Sequence, residues 1–181
     1  DGTDRLLVNA ATLADAQSMQ TILTELAAFA TTTSETNVAT GDHMRRLASF
    51  ISAWSRRSAP ELLPGSAAVR SIWKPAMDLA LSILKSEDAA PQLQQAAVKL
   101  VAEGTFLSEP HPEALVALLT PRTPPELQTA VIDALKKDGS EQIAEIILSD
   151  WAAREPRLRK EAIALLLSRQ AWTQRLIAAI A

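Results

Sequence analysis

Histidine is the side chain best suited to acid–base chemistry near neutral pH, and this sequence contains only two, His43 and His111. His43 lies in Gly-Asp-His-Met at the start of a predicted helix, and His111 lies between two prolines. Neither has the spacing of a zinc motif such as His-Glu-x-x-His. We therefore expect both to be helix-end or loop residues. The alternative, a metal ligand or general base, requires a deep cleft with buried acids around one of them.

Two carboxylates can divide the roles of acid and base when their environments separate their pKa values. Glu109 and Glu113 lie four residues apart, as do Glu141 and Glu145, so each pair would share a helix face. Both pairs stand near predicted helix starts, where solvated acids complement the helix dipole. Nothing in the sequence supplies the burial that would separate their pKa values, so paired-acid catalysis is not favoured.

Motifs for nucleotide binding and covalent catalysis are absent from the sequence. The five glycines never form Gly-x-Gly-x-x-Gly or a P-loop, and no serine stands in Gly-x-Ser-x-Gly. The lack of cysteine excludes disulfides, thiolate zinc sites, iron–sulfur ligation, covalent haem attachment and cysteine nucleophiles. We predict that this chain is not an enzyme and has no catalytic residue, metal or cofactor of its own.

A basic cluster is the candidate contact for a partner, and it comprises Arg154, Arg157, Arg159 and Lys160. It is interrupted by Glu155 and followed by Glu161, so one interpretation is a solvated helix face with local ion pairs. The alternative is a contact for an acidic partner or a neighbouring domain. A second face of this kind is formed in the sequence by Arg45, Arg46, Arg56 and Arg57.

The overall charge gives no sign of a nucleic-acid or membrane partner. The formal net charge is −3, and acids and bases are interleaved along the chain. No apolar run approaches the roughly 18 residues of a membrane span. We expect the partners to be flanking domains of the same polypeptide or another protein. A chain without cysteine suits either side of a membrane, so composition leaves the compartment open.

The elements that position these residues are predicted to be helices. Apolar residues make up 48% of the chain and aromatic residues only 4%, because most apolar residues are alanine and leucine. Such side chains favour helices, whereas sheets favour β-branched and aromatic residues.

Three segments beginning at Pro91, Pro125 and Pro156 share the template Pro-x-Leu-x-x-x-apolar-x-x-apolar-apolar. The apolar positions trace one helical stripe, and proline suits the first turn of a helix. A second amphipathic segment follows each copy, at residues 112–119, 140–151 and 170–181. The repeating unit is therefore a helical hairpin, which buries its stripe only by stacking on its neighbours.

Local signals mark the helix boundaries. Thr123 and Glu126 form a predicted capping box around Pro124, and Gly139 after two lysines is typical of a left-handed helix end. Residues 1–59 are less regular, with predicted helices at 5–14, 16–30 and 42–57, a loop at 31–41 and Asp42 as a cap. A further helix at 66–85 contains Pro75, which predicts a kink or break near Trp73 and Lys74.

We predict a single all-α domain over residues 1–181, with less regular helices at 1–59 and clearer repeats at 60–181. Its expected architecture is a HEAT/ARM-like α-α superhelix, a right-handed solenoid of antiparallel helix pairs with about ten helices. The start at Asp1 and the uncapped apolar end at residues 176–181 favour excision from a longer protein.

The three copies resemble HEAT-like or PBS-lyase-like repeats, and residues 60–181 show a narrower resemblance. It is carried by residues 118–131, 144–151, 157–162 and 165–169, which read Leu-Leu-Thr-Pro-Arg-Thr-Pro-Pro-Glu-Leu-Gln-Thr-Ala-Val, Ala-Glu-Ile-Ile-Leu-Ser-Asp-Trp, Arg-Leu-Arg-Lys-Glu-Ala and Leu-Leu-Leu-Ser-Arg. These segments look like the helical module of large planctomycete and verrucomicrobial membrane-bound dehydrogenases with a haem-binding domain. The resemblance implies a helical spacer between a propeller-type dehydrogenase part and a c-type cytochrome, outside the cytoplasm. The Cys-x-x-Cys-His motif is absent here, so any haem c would belong to the parent protein.

Two functions follow as hypotheses. The first is a non-catalytic scaffold or interaction module that spaces or docks flanking domains of a larger secreted, redox-active protein. The second is a free-standing solenoid whose groove binds a protein or peptide. A contiguous apolar or charged stripe on the inner helices would favour the second function.

Overall fold

The computed structural model describes residues 5–6, 9–10, 15–32, 38–56, 67–86, 88–105, 111–149, 151 and 156–180. Regular structure in these ranges is entirely helical, which confirms the all-α class. The helices are α1 (Ala16–Thr32), α2 (Val38–Ser55), α3 (Ala67–Lys85), α4 (Pro91–Gly104), α5 (Pro112–Val116), α6 (Pro125–Asp138), α7 (Gln142–Ser149), α8 (Pro156–Leu166) and α9 (Gln170–Ile180). Of the helix predicted at 5–14, residues 5–6 and 9–10 are helical and the others lie outside the described residues. The total of about ten helices stays a prediction.

The chain divides into two compact units, residues 1–110 and 111–181. In the first unit α1 packs on α2 and α3, and α4 packs on the same two helices. α1 therefore contacts α3, and α2 contacts α4. The two pairs of consecutive helices thus meet through both helices of each pair. The buried side chains at the centre of the unit include Leu23, Met44, Leu47, Phe50, Ile51, Trp73 and Leu100.

In the second unit α7 contacts both α5 and α9, while α5 also contacts α6 and α9 also contacts α8. The helices α5, α7 and α9 are the second helices of the three predicted hairpins. They are therefore neighbours in the order of the sequence. The buried residues here include Leu115, Leu127, Val131, Leu135, Ile143, Ile147 and Trp172.

The apolar template of the three repeats is confirmed position by position. All twelve template positions are buried, four in each of α4, α6 and α8: Leu93, Ala97, Leu100, Val101, Leu127, Val131, Ala134, Leu135, Leu158, Ala162, Leu165 and Leu166. The 3.6-residue period therefore identified the core-facing side of each first helix correctly.

The start of α2 differs from the sequence prediction. Residues 38–41 belong to the helix, although a loop at 31–41 with Asp42 as the cap was expected. Thr40 is fully buried, and a Cβ atom on Gly41 would lie 3.6 Å from the Leu93 side chain. Packing of this turn against α4 outweighs the weak helix propensities of threonine and glycine. Asp42 instead pairs with Arg45 within the helix.

Pro75 does not break α3, which runs from Ala67 to Lys85 with the proline inside it. A proline inside a helix costs about 3 kcal/mol. Pro75 lies on the exposed side, whereas Trp73, Ala76 and Met77 are buried. Burial of these neighbours holds the helix together through the proline, because an apolar side chain gains about 1.5–3 kcal/mol when it leaves water.

The helix predicted at 112–119 is shorter than expected, whereas α9 begins at Gln170 as predicted. α5 ends at Val116, after which Leu118 and Leu119 donate backbone hydrogen bonds of 3.1 and 2.9 Å to the carbonyls of Leu115 and Val116. This three-residue spacing is the tightening typical of a helix end. The predicted left-handed end of α6 is confirmed, since Gly139 has φ 73° and donates its N–H to the Leu135 carbonyl.

The predicted capping box before α6 is wrong. Pro124 occupies the N-cap position, and no side chain accepts a capping hydrogen bond from the first N–H groups of the helix. The Thr123 hydroxyl instead pairs with the Thr120 hydroxyl at 2.9 Å. Gln128, which is only 5% exposed, donates its amide to the carbonyls of Thr120 and Thr123 at 2.8 and 3.0 Å. The Gln128 side chain, which belongs to the helix, therefore stabilises the loop before α6. Because Pro124 and Pro125 have no N–H group, fewer N–H groups at this helix start need a cap.

Within the described ranges, no helix combines the length and the apolar character required to cross a lipid bilayer.

Candidate interaction site

The basic cluster lies on α8, except for Arg154, which is outside the described residues together with Glu155. Arg157 and Lys160 are exposed, and Arg159 is partly buried. The Arg157 Nε atom lies 3.5 Å from a carboxylate oxygen of Glu161, one helical turn further on. This ion pair is the local pairing expected for a solvated helix face, and a contact to an acidic partner stays a prediction.

The second basic face lies along α2, with Arg57 outside the described residues. Arg45 pairs with Asp42, and the Arg56 guanidinium lies 3.4 Å from the Ser52 hydroxyl. Each partner lies three or four residues before its arginine, so both are local contacts, and a role of this face in binding a partner stays a prediction.

The histidines stand at separate places in the chain, and each belongs to a different unit. His43 is partly buried on α2. His111 precedes α5, and its Nδ1 atom lies 3.6 Å from a carboxylate oxygen of Glu113. In the part of the chain that the structure describes, no three or more His, Asp or Glu side chains gather as metal ligands would.

The acid pair Glu141 and Glu145 lies opposite a cation on α9. Arg175 reaches from α9 to both carboxylates, at 3.6 and 3.2 Å. All three side chains are about half exposed or more, so their ion pairs contribute little stability. The pair ties α9 to the start of α7. Glu109, the other candidate, lies outside the described residues.

A group of polar contacts connects the end of α6 and the α6–α7 turn to the start of α9. We call its residues, Gly139, Ser140, Arg169 and Trp172, the turn clasp. The Arg169 guanidinium donates to the Lys136 carbonyl at 2.7 Å and lies over the Trp172 ring, 5.3 Å from its centroid. Trp172 is completely buried and donates its Nε1–H to the Ser140 carbonyl at 2.9 Å. The clasp therefore connects the α6–α7 turn to the start of α9.

This clasp was not identified from the sequence. Arg169 stands three residues before Trp172, a spacing that places both on one helix face. That spacing is the feature of the sequence that could have indicated a contact between Arg169 and Trp172. Its target, the carbonyls around Gly139, lies about thirty residues earlier and has no local signature.

The second unit also exposes a group of large apolar side chains, which we call the terminal face. It comprises Ile163 and Leu167, which are 37% and 57% exposed; on α9, Ile177 is also exposed, at 56%. Ile163 and Leu167 are four residues apart and lie on one side of α8 and the turn that follows it. On α9, Trp172 and Leu176 are buried instead.

A small cleft lies between α6 and α8 in the same unit. Ile132 and Leu119 line one side of it, and Leu158, Glu161, Ala162 and Leu165 line the other. The enclosed space is only about 10 Å³, close to the volume of one water-sized probe. The cleft is therefore a packing seam between two repeats rather than a ligand pocket.

Comparison of the chain with protein-family models, with curated proteins and with solved structures finds no match. The all-α class therefore rests on the structure itself. The HEAT-like repeat type and the resemblance to the helical module of haem-binding dehydrogenases stay predictions.

Proposed function

We propose that this chain is a non-catalytic helical-repeat scaffold that spaces or docks the flanking domains of a larger polypeptide. In this proposal the hairpins stack as they do in a right-handed HEAT-like solenoid. The observation that carries it is the position of α7, which contacts both α5 and α9. Three successive second helices then form one layer, as the stacking of like helices in a repeat array requires.

The contacts between first helices support the same arrangement. The α8 residues Leu158, Ala162 and Leu165 lie across the cleft from Ile132 of α6. The turn clasp adds a third link, because Arg169 and Trp172 bind carbonyls of the preceding turn. The α6–α7 and α8–α9 hairpins thus approach each other at their first helices, their second helices and their turns.

The first unit is compatible with the same packing rule. α1 meets α3 and α2 meets α4, so both helices of one consecutive pair are neighbours of the other pair. Such packing gives rigid spacing, which is the property that a scaffold needs.

In this proposal the flanking domains are a dehydrogenase-like part and a c-type cytochrome, and the location is outside the cytoplasm. That part of the proposal rests on the resemblance in residues 118–169. It is tested on the complete reading frame, where a signal peptide upstream and Cys-x-x-Cys-His downstream are the expected findings.

A functional test uses the complete polypeptide. Replacing residues 111–181 with a Gly/Ser linker of equal residue number removes the fixed spacing, because such linkers behave as flexible coils. Electron transfer between the flanking centres should slow, while each centre keeps its own redox titration. Unchanged transfer would show that the spacing is not used.

The alternative is a free-standing solenoid that binds a protein or peptide. The exposed apolar side chains of the terminal face, beside the cations of α8, favour this alternative. A reading frame with neither a signal peptide nor a haem motif would make it the better explanation.

A further inference from the structure

We draw no further inference here: the strongest candidate, the exposed apolar patch that Ile163 and Leu167 form on α8 and the turn after it, carries no proposal because nothing in the structure shows what covers it.

Discussion

At the scale of single residues, Gly41 and Gly104 differ in how much space a side chain would have. A Cβ atom on Gly104 would lie 2.4 Å from the Met77 methyl group and 2.4 Å from the Trp73 ring. Both neighbours are buried, and the indole cannot move away easily. The absence of a side chain at position 104 therefore sets how closely α3 and α4 approach. Gly41 has only ordinary contacts at 3.6–3.9 Å.

We expect Gly104→Ala to lower the free energy of unfolding by about 1–3 kcal/mol, because overpacking outweighs the better helix propensity of alanine. Gly41→Ala is the matched control and should be neutral or stabilising by up to about 1 kcal/mol. Urea unfolding followed by circular dichroism measures both. A Gly104→Ala protein as stable as the original would mean that the two helices lie further apart than the structure places them.

The turn clasp provides the second prediction at this scale. Arg169 binds the Lys136 carbonyl in the last turn of α6, Trp172 binds the Ser140 carbonyl of the α6–α7 turn, and their side chains contact each other. We expect a double-mutant cycle of Arg169→Ala and Trp172→Leu to give a coupling energy of about 0.5–1 kcal/mol, the size of an exposed cation–π contact. Additive effects in urea unfolding would show that the stacking contributes nothing.

At the scale of elements, the helix starts depend on different chemistry. α1 has an aspartate cap, in which the Asp15 carboxylate accepts the Ser18 N–H at 2.8 Å. α4 and α6 begin with proline and have no side-chain cap. Asp15 stands directly before the helix predicted at 16–30, so the signal was present in the sequence, but it was not used.

The hydrogen bond from the Ser18 backbone lowers the pKa of Asp15 below its ordinary value of 3.8. The capping contribution is therefore fully present above the unfolded pKa and is lost as the pH falls through the lower folded pKa. In an NMR titration the Ser18 amide signal should move with a midpoint below 3.8. Asp15→Asn keeps a capping oxygen but cannot titrate, so its Ser18 signal should not move there. A midpoint at or above 3.8 would contradict the cap.

At the scale of the whole molecule, the second unit offers a test of stacking. In a linear stack each hairpin depends mainly on its neighbours, so a local defect weakens with distance. Leu176 is buried on α9, whereas its neighbour Ile177 is exposed. The two positions provide a matched pair for one measurement.

We expect Leu176→Ala to cost about 2–5 kcal/mol locally and to reduce amide hydrogen-exchange protection most in α9, less in α7 and least in residues 117–119 after α5. Ile177→Ala should change little. An equal loss of protection after α5 would instead indicate one cooperative bundle.

The sequence by itself determined the helical class, the core-facing stripe of α4, α6 and α8, and the left-handed end at Gly139. These features depend on local periodicity and on backbone conformations that one residue type favours, and both are readable from neighbouring residues. Tertiary structure alone decided that residues 38–41 are helical, that Pro75 is tolerated, that Gln128 holds the loop before α6, and that Ile177 is exposed. Each depends on a partner distant in the sequence or on competition for a buried face, and such contacts have no local signature.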